Sequence, residues 1–185
     1  MSRAETAARI ARAAIALGAA EGVGAMSLQA IARTAGVSKA LLLYHYDGKA
    51  ALLTAVVRTL GAASEVRLKR AATAADAMEA WRALARDETV RGEVALLAAL
   101  SGESEPDVAT VREVRAAREA AAALLATAIL GAVQLAPRVP APLLGRLLLR
   151  QIDGAAVAGA RDGTGAAGLD AELDAFALAL LALGR

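Results

Sequence analysis

Between Ser27 and Lys49 the chain carries a set of side chains that can donate hydrogen bonds to an anion: Ser27, Ser38, Lys39, Tyr44, His45 and Lys49. Hydroxyls, a phenol, an imidazole and two ammonium groups suit phosphate oxygens, and a Lys near a helix start can also reach a guanine edge. Ala40 and Leu41 stand among them and offer apolar surface to a thymine methyl. Bond-breaking chemistry has no comparable set. There is one His, no Cys and no clustering of Asp and Glu that would hold a metal. No Gly-rich phosphate loop follows a strand. The sequence therefore argues against an enzyme and implies no metal and no cofactor.

Those donors need elements to present them. Ser27 is suited to cap a helix over Leu28–Thr34, and Ser38 to cap a second over Lys39–His45. Ala35-Gly36-Val37 between them is a tight turn, with Gly36 free to adopt a backbone that a Cβ would penalise. Ile31, Val37 and Leu42 are apolar where the pair must pack on a first helix, Ala4–Glu21, whose Ile10, Ala13, Ala14 and Leu17 share one face. Ala32 is small where the two short helices cross. Asp47-Gly48 breaks the chain, and a long helix from Lys49 toward Arg70 follows. Its free N-terminal amides form an anion site. A short helix, a Gly turn and a second short helix is the shape that enters a major groove. Taken alone, it is weak evidence, since an ordinary helical hairpin with solvated charges is the commoner source of the pattern.

The full string goes further. Ile31-Ala32-Arg33-Thr34-Ala35-Gly36-Val37-Ser38-Lys39, then Tyr44-His45-Tyr46-Asp47-Gly48-Lys49, with Ala50-Ala51-Leu52-Leu53 behind, resembles the DNA-binding head of the tetracycline-repressor (TetR) family. The likeness covers residues 10–53 and is looser beyond, where Ile152-Asp153-Gly154 and a final apolar helix are similar to that family's dimerisation end. Three positions depart. Leu41 replaces a small or hydroxyl residue, Leu43 a Tyr, and Gly18 a residue that is often Phe. The first two remove polar contacts with DNA, and Gly18 removes packing at the base of the first helix.

The resemblance implies a head over 1–48, a connecting helix over 49–70, and a ligand-binding and dimerisation body over 71–185. Composition agrees with an all-α chain of about nine helices. Hydrophobic residues make up 57% and aromatics only 2%, so the core is built from Leu, Ala, Val and Ile. Residues 1–70 carry ten Lys or Arg against four Asp or Glu, whereas residues 71–185 carry eleven against fifteen. A basic head on an acidic body suits a polyanionic partner. The absence of Cys fits a reducing cytoplasm. The N-terminal residues lack a signal peptide's apolar stretch. The longest apolar run, Ala120–Pro137, is interrupted by Thr127, Gly131 and Gln134 and falls short of the ~20 residues of a membrane span.

Two stripes in the late helices suggest a homodimer built as a four-helix bundle. One includes Leu144, Leu148, Ile152, Ala155 and Gly159, and the other Leu173, Phe176 and Leu180. Two-fold symmetry suits a palindromic site, with recognition helices roughly 34–36 Å apart. The resemblance further implies an effector cavity in the body, for which Met78, Trp81, Leu97, Leu100, Leu125, Ile129 and Gln134 are the candidates. That lining implies an apolar or amphipathic small molecule. Arg112, Arg115 and Arg118 stand as a series that either meets an anionic ligand or pairs with Glu113 and Glu119. The expected partners are thus a double-stranded DNA operator, a small-molecule effector and a second copy, with no membrane. The rival reading is a helical protein-interaction or ligand-binding module that never touches DNA.

Overall fold

The computed structural model describes residues 2–162 and 166–184, without the side chains of 160–162 and 166–168. Nine α-helices account for most of them. They are α1 (Arg3–Glu21), α2 (Leu28–Thr34), α3 (Lys39–His45), α4 (Gly48–Ala72), α5 (Ala77–Arg86), α6 (Glu88–Gly102), α7 (Val108–Ala132), α8 (Ala141–Asp162) and α9 (Ala166–Leu181). A short 3₁₀ turn, Val23–Ala25, links α1 to α2. The all-α reading is correct. Of the Gly-rich loop expected over Asp162–Gly168, residues 163–165 lie outside the described residues, and α9 starts at Ala166, three residues earlier than its apolar pattern suggested.

The helix starts are written locally. Ser2 and Glu5 form a reciprocal capping box on α1. Ser27, Ser38, Asp76, Asp87 and Asp107 each accept a hydrogen bond from the backbone N–H three residues on. Each satisfies a donor that a helix start otherwise leaves orphaned. Proline fixes the other boundary. Pro137 and Pro140 hold the chain out of helix before α8, while Pro142 sits in its first turn, where a missing N–H costs nothing.

Apolar side chains collect in two clusters. The first joins α1, α2, α3 and the first half of α4, and takes in Leu96, Leu97 and Leu100 from α6. The second joins the end of α4 with α5, α7, α8 and α9 around Trp81, which is fully buried against Phe176. Helix α4 belongs to both, so it is the beam on which head and body are mounted. Its longest partner is α7, and close approach there is possible because Gly61 has no Cβ to meet Val114.

Candidate nucleic-acid interface

The turn before α3 closes as the sequence requires. The Val37 N–H donates to the Ala32 carbonyl at 3.0 Å and the Gly36 N–H to Arg33 at 3.1 Å. This is the paired bonding that ends a helix through a left-handed residue. Gly36 supplies that residue at φ 63°, with open space around its Cα. Glycine is needed there for its backbone, not for room.

Helix α3 is consequently held by one side chain. Leu42 is fully buried, whereas Lys39, Ala40, Leu41, Leu43 and Tyr44 are exposed and His45 is half-buried. Ser27 and Ser38 are exposed as well. Each hydroxyl oxygen accepts its capping bond and keeps its own proton to donate. Leu41 and Leu43 form an outward apolar surface on the helix that sequence alone marked as a departure. Tyr44 is the most exposed aromatic, and its ring meets His45 edge-on at 5.3 Å.

Tyr46 has a different task. Its hydroxyl donates to the Ala7 carbonyl at 2.9 Å, pinning the end of α3 to α1. Partial burial pushes its phenol above the usual tyrosine value. Sequence reasoning missed Arg3, whose guanidinium lies 5.1 Å from the centre of the Tyr44 ring. It therefore adds a cation beside α3. No local pattern could have found it, because 41 residues of chain separate the pair.

Lys49 opens α4, but it is not idle. Its ammonium pairs with Glu105 at 3.0 Å. The cap of α4 is bare: Asp47 makes no side-chain bond to the first-turn amides. The Gly48 N–H donates to the Tyr46 carbonyl at 2.8 Å, and the amides after it have no side-chain cap.

The comparisons agree with this geometry. Residues 10–56 match the model described as bacterial regulatory proteins, tetR family. Over those residues the head is similar to the TetR family. The whole TetR-like architecture recurs in solved structures. A transcriptional regulator from Rhodococcus sp. RHA1 superposes with a TM-score of 0.77 at 22% identity, covering 96% of this chain and 97% of that one. A TetR-family regulator from Agrobacterium tumefaciens gives 0.76 at 18% identity, with 100% of both chains covered. NemR of E. coli in its reduced form gives 0.74 at 14%, with 97% of each covered. At these identities the likeness establishes the fold. No curated protein sequence matches the chain significantly.

Behind this head, the body corrects several sequence expectations. The proposed pocket residues do not share a single cavity. Trp81, Leu100 and Leu125 are fully buried core, whereas Leu97, part of the cluster under the head, also lines a cavity between α6, α7 and α8. Met78 and Ile129 line a shallow groove between α5, α7 and α9. Gln134 is exposed at φ 60° and ends α7, with its N–H donating to Gly131 and that of Leu135 to Leu130. It is a left-handed cap residue, so its side chain faces solvent.

The dimer stripes are displaced too. Leu144, Leu148, Leu173 and Leu180 lie inside this protomer's own second cluster, and Ile152, Ala155 and Phe176 pack against it. Gly159 is half-buried. The apolar period was read correctly, but its face is turned toward the rest of the same chain. On α8 Arg146, Arg150 and Gly154 are exposed and Leu147, Gln151 and Ala158 half-buried, and on α9 Ala171, Glu172, Asp174, Ala175 and Leu178 are exposed. Of the arginine series on α7, Arg112 is exposed, while Arg115 and Arg118 border a cavity. Among the described residues neither Glu113 nor Glu119 pairs with any of them. Arg118 is 4% exposed and instead forms a two-pronged pair with Asp153, at 2.6 and 3.2 Å, while donating to Ser64 at 3.0 Å. No helix of the described residues is long and apolar enough to cross a membrane.

Proposed function

We propose that the chain is a ligand-responsive repressor: it binds a palindromic operator as a homodimer and leaves it when a small molecule occupies the body. The observation that carries this reading is α3, a helix with a single buried anchor and an outward face of Lys39, Leu41 and Tyr44, flanked by Ser27, Ser38 and the open start of α4. Its place of work is the cytoplasm, and it catalyses no reaction.

A physical route from body to head supports the switch. Three side chains on α4 bind the junction of α6 and α7. Lys49 pairs with Glu105, the Thr54 hydroxyl accepts from the Asp107 N–H at 2.9 Å, and Arg58 donates to Thr110 at 3.0 Å. Any shift of α6 against α7 thus pulls on the helix that carries the head. A ligand changes operator affinity only by as much as it prefers one of the two arrangements. For the dimer, half-buried Leu147 and Ala158 on α8 and exposed Ala171, Ala175 and Leu178 on α9 give apolar and small surface that suits a second copy packed as a four-helix bundle.

The test is selection of bound duplexes from a random pool, followed by affinity against salt. The expected product is a two-fold palindrome. A log–log slope of about −0.9 per phosphate should accompany it. Lys39→Ala should weaken binding without unfolding the chain. A pool that yields no duplex, or binding indifferent to salt, would instead favour a helical ligand-binding module without a DNA role.

A further inference from the structure

We propose that the cavity between α6, α7 and α8 is a site for a compact organic carboxylate, an apolar body bearing one anionic group. The inference rests on the regulator reading and names the chemistry of its effector. The cavity holds about 330 Å³, at the lower end of the range for small-molecule sites. Leu97, Val114 and Leu149 give it apolar wall. The remaining lining is cationic in excess, with four guanidinium groups against two carboxylates.

Those six charges are not equivalent. Arg118 and Asp153 neutralise each other at the buried end, through the two-pronged pair described above. Arg115, Arg146 and Arg150 are exposed and make no ion pair among the described residues. Glu119, half-buried on the same border, offsets one of them. Two positive charges therefore stay uncompensated beside an apolar wall. Guanidinium binds a carboxylate in a planar, two-bonded fork, and its neutral analogues bind it far less well. Arg146 and Arg150 lie four residues apart on α8, so both reach one anion from a single helix face. Burying an apolar body against Leu97 and Val114 supplies affinity, and the arginines select the charge.

The site also has leverage. Leu97 and Ser101 stand on α6 just before the junction that grips α4, and Val111 and Val114 on α7 just after it. A ligand that spreads these walls strains the contacts to Lys49, Thr54 and Arg58.

The experiment is calorimetric titration of the full chain with octanoate and 2-naphthoate, against octanamide and 2-naphthamide as neutral isosteres. At least one carboxylate should bind, and its amide should bind at least about tenfold more weakly. Arg146→Gln/Arg150→Gln should lose about tenfold for the carboxylate and leave the amide unchanged. Both positions are exposed, so the variant should keep the wild-type helicity and oligomeric state. Arg112→Gln, on α7 but outside the cavity, should stay within about twofold of wild type. Equal binding of acid and amide, wild-type affinity in the double variant, or no carboxylate binding up to about 10 mM would each overturn the site. Operator anisotropy run in parallel separates the two readings. A carboxylate that binds through Arg146 and Arg150 yet leaves the operator complex intact upholds the site and removes the release mechanism. Carboxylate binding in a chain that selects no duplex upholds the site and removes the regulator.

Discussion

Gly145 on α8 lies directly against the backbone carbonyl of Glu119 on α7. A Cβ at 145 would collide with that oxygen and stand 2.9 Å from both the N and the Cβ of Ala123. These obstacles are mostly main chain, so they yield only if the two helices part. Gly145→Ala should therefore destabilise the chain by roughly 2 kcal/mol, as an overpacked interface does, even though Ala is the better helix former by about 1 kcal/mol. Gly18 on α1 makes the contrast. Its nearest neighbours are the flexible tips of Met26 and Leu96, 2.7 and 2.8 Å from an added Cβ. They can swing aside, so Gly18→Ala should be nearly neutral, the propensity gain offsetting the repacking. Urea midpoints of the two variants check both statements, and equal midpoints would contradict the geometry.

Gln134 gives a prediction of the opposite sign. It holds φ at 60° to close α7, a conformation that penalises an L side chain by roughly 1 kcal/mol and glycine hardly at all. The Gln134 side chain is exposed and makes no hydrogen bond among the described residues. Gln134→Gly should raise stability by roughly 0.5–1 kcal/mol, a gain of a few degrees in Tm by calorimetry. A lower Tm would show that the amide has a role beyond the turn.

How far could the sequence be read? The head was legible because its constraints are local: Ser27 and Ser38 cap, Gly36 turns, and Leu42 anchors, all within 20 residues. The helices of the body were legible for the same reason. Their faces were not. Leu144, Leu148, Leu173 and Leu180 repeat with helical period, and that period states only that one face is apolar. It does not state whether the face meets another helix of this chain or a second copy. Leu97, Arg115 and Arg118 were named for a ligand site and do line the cavity, whereas Arg146 and Arg150 were not, because the approach of α8 to α6 and α7 is set by packing around Gly145. Lys49 was read as a DNA contact without its partner, since Glu105 is 56 residues away.

Asp107 makes α7 sensitive to acid. Its carboxylate accepts from the Thr110 hydroxyl at 2.7 Å and the Thr110 N–H at 2.8 Å. The side-chain bond, then the backbone bond, hold its pKa below the ordinary aspartate value. A group whose pKa is lowered by folding stabilises the fold above its unfolded value, near about 3.9, and loses that contribution as the pH falls through the folded value. Asp107→Asn keeps a cap without the charge. Wild type should thus be the more stable at pH 6, and the difference should shrink as acid is added. A difference that stays constant with pH would mean that the carboxylate's charge contributes nothing.

Glu105 holds Lys49, the lysine proposed as an operator contact. The Lys49–Glu105 pair is about two-fifths exposed on each side, with side-chain accessibilities of 37% and 43%. Pairs of this kind contribute under about 1 kcal/mol, so a phosphate displaces the carboxylate readily. Glu105→Gln releases Lys49 and removes a negative charge from beside the start of α4. Operator affinity should rise about two- to fivefold at low salt, and the salt slope should steepen by up to about 0.9. Lys49→Ala should weaken binding. The decisive comparison is the double variant, because a general loss of repulsion would act whether or not Lys49 is present. If Glu105 acts by occupying Lys49, then Glu105→Gln has little effect once Lys49 is Ala. The same gain in both backgrounds would show that Glu105 merely repels the duplex, and the pair would then have no part in the control of DNA binding.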